Sequence, residues 1–172
     1  MRAHDMEQET GMASRHGSFF LALIVLAGGF LPACGTKTDT TTGLRTTTSG
    51  LSCKDATVTL DDVKLDSNRI PMGKKIVLRY DGVRGFKKLN NRVYPGVSMS
   101  VTDLEGVSIG EFADLFGGYA ATGMEPKKAG RISVTLTTGK PMKTRAEYIW
   151  KVRVWDRKGR GEIVSEMKIN MI

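Results

Sequence analysis

Residues 148–169 read YIWKVRVWDRKGRGEIVSEMKI, and this stretch decides the fold class of the chain. Apolar and polar residues alternate along 148–155 and again along 162–169, as they do in strands that bury one face. Between these two runs, residues 157–161 combine two glycines with three cations and are typical of a tight turn. We therefore predict a β-hairpin. The side chains expected to face the core from its first strand are Tyr148, Trp150, Val152 and Val154, with Trp155 on the polar side.

The same alternation occurs upstream in four further runs. These predicted strands are residues 56–60, 75–80, 97–101 and 131–136. Turn residues end them, and the turn at 103–106 is expected to lead from the strand at 97–101 into another short strand. Residues 111–116 are the one helical candidate, of no more than a turn or two. Strands at this spacing over residues 53–172 predict an all-β fold, an antiparallel two-sheet sandwich.

One part of the hairpin resembles a known class of domain. Tyr148-x-Trp150-x-Val152 followed by Asp156-x-x-Gly159 is similar to the penultimate strand and hairpin of immunoglobulin-like domains, including PKD and fibronectin type III modules. The segment Gly139-Lys-Pro141 resembles the loop before that strand. The resemblance implies an immunoglobulin-like sandwich that acts as a recognition or spacer module. A fold of this class does not by itself specify a function.

The N-terminal region has the pattern of an export signal. An apolar run, FFLALIVLAGGF at residues 19–30, follows Arg15 and leads into small residues. Its twelve residues suit the h-region of a signal peptide and fall short of a membrane-spanning helix. Residues 1–11 carry three acidic residues, which are unusual ahead of an h-region, so Met12 is an alternative start.

The end of this signal resembles the lipobox of bacterial lipoproteins, on the residues Leu31-Pro32-Ala33-Cys34. The resemblance implies that residues 1–33 are removed by cleavage between Ala33 and Cys34, and that Cys34 carries a diacylglycerol and an acylated amine. A secreted protein without lipid, cut nearby, is the alternative. Two or three acyl chains anchor a protein stably, whereas one chain holds it only marginally. Gly35 stands where an Asp would retain an enterobacterial lipoprotein in the inner membrane, which favours the outer membrane.

Residues 34–52 are expected to form a flexible tether. From 35 to 50 the chain reads GTKTDTTTGLRTTTSG, with few apolar residues to offset the entropy of ordering. The sequence thus predicts three parts: a signal peptide at 1–33, a lipidated cysteine and tether at 34–52, and a sandwich domain at 53–172.

Composition excludes several classes of protein. The chain has 172 residues, with 26 Lys and Arg against 18 Asp and Glu, a length that favours one modest domain over a multi-domain enzyme. Its two cysteines exclude a disulfide-dense scaffold. Both histidines, His4 and His16, precede the cleavage site. The mature chain should therefore lack the commonest general base and the usual imidazole metal ligand.

Other routes to catalysis or metal binding are weak as well. Cys53 is the one thiol left after lipidation, and nothing in the sequence requires a basic partner to lie near it, so we interpret it as a bystander or as half of an intermolecular disulfide. A hydrolase would need two carboxylates held together, and nothing in the sequence joins a pair. The acidic residues considered were Asp61, Asp62, Asp66, Asp103, Glu105, Glu111 and Asp114. We expect no enzyme activity, no metal and no cofactor.

The strongest remaining signal is positive charge in the predicted loops. Residues 34–172 carry 24 Lys and Arg against 15 Asp and Glu. The basic clusters are Arg84-Lys87-Lys88-Arg92, Lys127-Lys128-Arg131 and Arg157-Lys158-Arg160. If two of them share one end of the sandwich, they form a patch for anionic partners. In an exported lipoprotein such partners are envelope glycans, lipids or acidic proteins, and nucleic acid is a poor candidate. The alternative is a solvated basic surface without a partner.

A pair of aromatics completes the candidate binding surface. Phe116 and Tyr119 flank Gly117-Gly118, and a glycine turn that bears aromatics can form a contact surface. The candidate binding residues are Lys87, Lys88, Arg92, Phe116, Tyr119, Arg157, Lys158 and Arg160. The predicted function is a membrane-anchored, non-catalytic envelope lipoprotein that binds a protein or an anionic envelope component. A structural or assembly accessory of an envelope, secretion or adhesin complex, docking through an edge strand, is the alternative.

Overall fold

The computed structural model describes residues 34–172. The predicted signal peptide and the alternative start at Met12 lie outside the described residues. The strands are β1 (Gly35–Thr38), β2 (Arg45–Ser49), β3 (Asp55–Leu60), β4 (Val63–Lys64), β5 (Arg69–Ile70), β6 (Lys75–Asp81), β7 (Pro95–Asp103), β8 (Ser108–Phe112), β9 (Arg131–Thr137), β10 (Glu147–Asp156) and β11 (Glu162–Met171). A 3₁₀ turn at Gly117–Tyr119 and a short helix α1 (Pro126–Ala129) lie between β8 and β9. No helix of residues 34–172 is both long and apolar enough to cross a bilayer.

The strands form two sheets that pack face to face. One sheet has the order β1-β2-β11-β10-β7-β8, with β5 paired in parallel to β11, and the other has the order β4-β3-β6-β9. The first sheet contains β7, β10 and β11, and the second contains β3, β6 and β9. The chain crosses between the sheets from β6 to β7 and from β9 to β10, as in an immunoglobulin-like sandwich. The predicted all-β, two-sheet fold is confirmed.

The hairpin that decides the fold is also confirmed. Strands β10 and β11 pair in antiparallel register from Glu147 opposite Asn170 to Trp155 opposite Glu162. The inward-facing side chains are those expected from the alternation: Tyr148, Trp150, Val152 and Val154 are all buried. Because successive side chains of a strand point to opposite faces, this single register places the whole apolar set between the two sheets.

Tyr148 fixes the crossover that enters β10. Its hydroxyl oxygen accepts a hydrogen bond from the backbone N–H of Lys143 at 2.8 Å, five residues upstream. A tyrosine at the start of this strand that bonds back to the preceding loop is the tyrosine corner of immunoglobulin-like sandwiches. The resemblance in the Tyr-x-Trp motif therefore has a structural reason.

The expectation of a flexible tether at 34–52 was wrong. Strand β2 pairs along the edge of β11, and β1 pairs with β2. Leu44 and Leu51, just outside the two ends of β2, belong to the main core, and the buried hydroxyls of Thr46 and Ser165 lie 2.7 Å apart. Threonine is β-branched and favours strands, so this Thr-rich run gains backbone hydrogen bonds and two apolar anchors instead of staying disordered.

The helix expected at 111–116 was also wrong. Strand β8 runs to Phe112, and helical geometry begins only at Gly117. Short α1 begins at Pro126, a residue well suited to the first turn because its missing N–H needs no partner there.

Candidate functional site

All three basic clusters lie at one end of the sandwich, which we call the basic end. The loop after β6 joins the segment after α1 because Val83 donates its N–H to the carbonyl of Gly130 at 3.0 Å. The same loop meets the turn between β10 and β11, where the N–H of Arg157 bonds the carbonyl of Tyr94 at 2.9 Å. The condition set by the sequence analysis, that at least two clusters share an end, is met.

Asp156 fastens two of these loops together. Its buried carboxylate accepts the backbone N–H of Lys87 at 2.6 Å and that of Lys158 at 3.0 Å. A Cβ on Gly159 would overlap this carboxylate. The Asp-x-x-Gly motif at the turn thus holds the backbone of both loops in place, and it leaves the lysine side chains free to face solvent.

Close backbone packing brings β2 to the same end. A Cβ on Gly85 would overlap the carbonyl oxygen of Gly50, and a Cβ on Gly50 would crowd the Cα of Gly161. Gly50 and Gly85 both have positive φ, which favours glycine. The end of β2, the loop after β6 and the hairpin turn are therefore in direct contact.

A small second core supports the basic end. Val93, Met124 and Ala129 are buried together, with Phe86 and Phe116 packed against them. Phe116 is half-buried, so it holds the loop in place, whereas Tyr119 is 44% exposed. Their rings meet edge to face, with centroids 5.7 Å apart. Of the predicted aromatic pair, Tyr119 contributes more of its ring to the surface.

A two-residue turn projects from the loop after β6. Leu89 and Arg92 exchange both backbone hydrogen bonds, at 2.8 and 2.9 Å, and Asn90 and Asn91 between them have positive φ. This is the geometry of a type I′ hairpin, for which asparagine is well suited. Leu89 is 37% exposed at its base, with Lys87, Lys88 and Arg92 next to it in sequence.

Most cations of the basic end have no carboxylate partner within residues 34–172. Arg131, Arg157 and Lys128 pair with Asp81, Asp114 and Glu125 respectively. The cations that form no ion pair with the described residues are Arg84, Lys87, Lys88, Arg92, Lys127, Lys158 and Arg160. Within this set, Lys158 lies over the Tyr94 ring, 5.2 Å from its centroid, and Arg92 donates to the carbonyl of Gly123 at 3.4 Å. These seven cations from three loops generate a positive potential that attracts anions.

Arg157 differs from its neighbours because it is a structural residue. Its guanidinium bonds the Asp114 carboxylate and the carbonyl of Pro95, and it lies over the Trp155 ring, 5.3 Å from the centroid. The Arg157 hydrogen bond lowers the pKa of Asp114, outweighing the opposing effect of burial. Arg157 is thus held in place, and it is the weakest of the predicted binding residues for an external ligand.

Cys34 directly precedes β1 and is exposed. Gly35, the next residue, pairs with Thr48 of β2, and Thr48 pairs with Ile163 at the start of β11. Ile163 lies two residues beyond the hairpin turn. Cys34 therefore leaves the sandwich at the basic end.

Three of the acidic residues considered for hydrolysis lie in three different turns. Asp61 pairs with Lys74 at the turn after β3, Asp103 accepts the N–H of Val107 in the turn after β7, and Asp114 lies at the basic end. No group of three His, Cys, Asp or Glu side chains in residues 34–172 is close enough to hold a metal ion. Each of these carboxylates serves a turn or an ion pair.

Cys53 lines a groove of about 400 Å³ beside β1 and β2. The thiol is half-buried, and burial raises its pKa, with the positive charge of Lys37 opposing that shift. A raised pKa leaves less of the nucleophilic thiolate at neutral pH.

An apolar groove opens along the opposite edge of the sandwich. It has a volume of about 360 Å³ and lies between β8 and β9, where Phe112 and Leu115 are exposed at the rim and Leu136 and Met142 contribute from below. The sequence analysis did not identify this groove, because its residues come from four separate segments.

Comparisons with known proteins add little to the site. No protein-family model matches the chain, and no curated protein matches it in sequence. Among solved structures, a superoxide reductase (neelaredoxin) from Ignicoccus hospitalis is similar, with 10% identity and a TM-score of 0.36 over 67% of this chain and 80% of that chain. A likeness this weak supports no assignment of activity.

Proposed function

We propose that this protein is a cell-envelope lipoprotein, anchored through Cys34, whose sandwich domain binds an anionic envelope component or a protein without catalysing a reaction. One observation carries the proposal: three loops, distant in sequence, converge so that seven cations without a carboxylate partner among the described residues share one end. A surface held together by Asp156 and a dedicated small core is preorganised for binding.

The anchor is supported by the lipobox resemblance and by the exposure of Cys34. Its test is the mass of the N-terminal peptide from protein extracted from the native membrane. Acylated Cys34 as the first residue is expected, and a Cys34→Ser variant should keep residues 1–33 and gain no lipid. An unmodified N-terminus in the native protein would refute the anchor. The outer membrane remains the favoured location, and membrane fractionation tests it.

The binding surface is tested by crosslinking in cells followed by mass spectrometry. The informative variant changes Lys87, Lys88, Lys127 and Arg160 to Ser, since these side chains are exposed and form no ion pair within residues 34–172. The matched control changes Lys75, Lys140, Lys143 and Lys151 to Ser, which removes the same charge away from the basic end. A partner lost only in the first variant supports the proposal. Equal loss in both, or in neither, contradicts it.

The alternative is an accessory subunit that docks through a sheet edge. The apolar groove between β8 and β9 favours it, with Phe112 half-exposed at its rim. If crosslinks survive the basic-end variant and vanish when Phe112 and Leu115 are changed to Asp, the accessory function replaces the first proposal.

A further inference from the structure

The anchor and the basic loops share one end of the domain, and the register of three strands establishes this. Gly35 is level with Thr48, and Thr48 with Ile163. Neighbouring strands lie roughly 4.8 Å apart, so three steps from β1 to β10 set Cys34 about 14 Å to the side of the hairpin turn. That separation is smaller than the diameter of the domain, so an acyl chain in the bilayer would hold the basic loops next to the headgroups.

Lysines and arginines beside a membrane anchor experience the surface potential of anionic lipids. Clusters of four to eight such residues next to an anchor bind anionic headgroups, and an anchor combined with a basic patch holds better than either alone. The basic end supplies seven cations without a carboxylate partner among the described residues. It lies where an acyl chain on Cys34 would enter the bilayer.

The basic end also presents apolar atoms that suit an interface. Leu89 is exposed beside the type I′ turn, with Lys87, Lys88 and Arg92 as close sequence neighbours, and Tyr119 is exposed on the loop that packs beside it. Apolar and aromatic side chains among cations are the composition of surfaces that lie at the boundary of headgroups and acyl chains.

From this geometry we infer that the basic end docks against the headgroup layer of the membrane that carries the anchor, with anionic phospholipid as its ligand. The inference rests on the proposed function, because it takes acylated Cys34 as given. It identifies the anionic envelope component as lipid of the anchoring membrane, and it fixes the orientation of the domain: the loops after β6, β8 and β10 face the bilayer, and the turns after β3, β7 and β9 face away.

The test measures how fast lysines react with a water-soluble amine-acylating reagent on the full mature, acylated protein. The protein is reconstituted into vesicles of phosphatidylcholine alone or of phosphatidylcholine mixed equally with phosphatidylglycerol. On the anionic vesicles, Lys87 and Lys88 should react with the reagent at about one third of their rate on neutral vesicles, or more slowly still. This difference in rate should shrink in high salt. Lys140 and Lys143 lie at the far end and are the internal control, with equal rates on both vesicles expected.

A second variant removes the apolar contact and adds a negative charge at the same position. Leu89→Asp places a carboxylate beside the type I′ turn without altering the two asparagines of the turn. It should abolish most of the protection of Lys87 and Lys88 from the reagent. Val107→Asp, on the exposed turn at the far end, is the matched control and should leave protection intact.

The outcomes distinguish the inference from the function on which it rests. Equal reaction rates of Lys87 on both vesicle types, with an intact acyl mass on Cys34, overturn the headgroup contact and leave the lipoprotein assignment standing. Protection on neutral vesicles as well overturns recognition of anionic lipid. Native protein without an acyl group on Cys34 refutes the anchor itself, which the mass of the N-terminal peptide reveals before any vesicle is made.

Discussion

The buried carboxylate of Asp156 accepts the backbone N–H of Lys87 at 2.6 Å, although 69 residues separate the two in sequence. The same carboxylate also accepts the N–H of Lys158 at 3.0 Å. One acidic side chain thus orders two basic loops without forming an ion pair with either lysine. This explains how positive charge is collected at the basic end while the lysine ammonium groups stay exposed to solvent.

Replacing Asp156 should therefore loosen the basic end. Asp156→Ala leaves two backbone N–H groups without their acceptor, and we expect the free energy of unfolding to fall by about 1–3 kcal/mol in urea titrations. Asp103→Ala is the control, because Asp103 accepts a single N–H, from Val107, in an exposed turn at the far end. A loss for Asp156→Ala no larger than the loss for the control would show that the carboxylate does not hold the loops.

The hydroxyl oxygen of Tyr148 in the tyrosine corner should stabilise the folded state through its hydrogen bond. Tyr148→Phe removes the hydroxyl that accepts the N–H of Lys143 and keeps the ring, so a loss of about 1 kcal/mol is expected from thermal or urea unfolding. Tyr119→Phe removes a hydroxyl from an exposed ring and should change stability very little. Identical behaviour of the two variants would contradict a structural role for the Tyr148 hydroxyl.

The segment expected to be a tether should behave as part of the domain. Leu51 is 1% exposed, so Leu51→Ala should lower the free energy of unfolding by about 2–5 kcal/mol. Leu104→Ala, at a position that is 56% exposed, should stay within about 0.5 kcal/mol of wild type. Hydrogen exchange gives an independent measurement: amides of β2 that bond β11 should be protected. If Leu51→Ala left the free energy of unfolding unchanged and the β2 amides exchanged rapidly, the segment would be a flexible tether after all.

Acid should weaken the contact between Asp114 and Arg157. The Arg157 hydrogen bond lowers the pKa of Asp114 in the folded state, against about 3.9 in an unfolded chain. The unfolded state then binds the proton more readily, so this contribution is fully present above about pH 4 and is lost as the pH falls through the lower, folded-state pKa. Urea unfolding of wild type and Asp114→Asn should therefore converge at acid pH.

The control for that experiment is Glu125→Gln, which removes a carboxylate whose partner, Lys128, is largely exposed. Exposed pairs contribute little, so its unfolding curve should stay close to wild type throughout. A gap between wild type and Asp114→Asn that persists unchanged into acid would show that ionisation of Asp114 does not stabilise the fold.

The sequence predicted those elements whose side chains alternate strongly. Strands β3, β6, β7, β9, β10 and β11 follow from apolar periodicity, because one face of each is buried. Strands β1 and β2 were missed, since edge strands rich in threonine carry little apolar signal and gain their stability from pairing with β11. Of the predicted helix at 111–116, residues 111 and 112 pair with β7 as the end of β8, and residues 113–116 form the turn that follows.

The candidate site was predictable in composition and not in geometry. The three basic clusters can be recognised in the sequence from their charge. Their convergence depends on close backbone contacts, such as that of Gly50 with Gly85, and the apolar periodicity of the sequence does not reveal such contacts. Arg157 was chosen for its charge, yet its bonds to Asp114 and Pro95 make it structural. Asp156 belongs to the motif that resembles immunoglobulin-like hairpins, but its bond to Lys87, 69 residues away, cannot be inferred from that motif.

The start of β1 at Gly35 determines how far a lipid-anchored domain can reach. A sixteen-residue flexible linker could extend by up to about 55 Å, whereas a single peptide bond between Cys34 and a paired strand gives almost no slack. A compact body of this length has a radius of gyration of about 14 Å, so every atom stays within roughly one domain diameter of the bilayer. Under the proposed anchor at Cys34, partners on the far side of the envelope would have to span the gap themselves, and partners in the same membrane would meet this protein by diffusion in two dimensions.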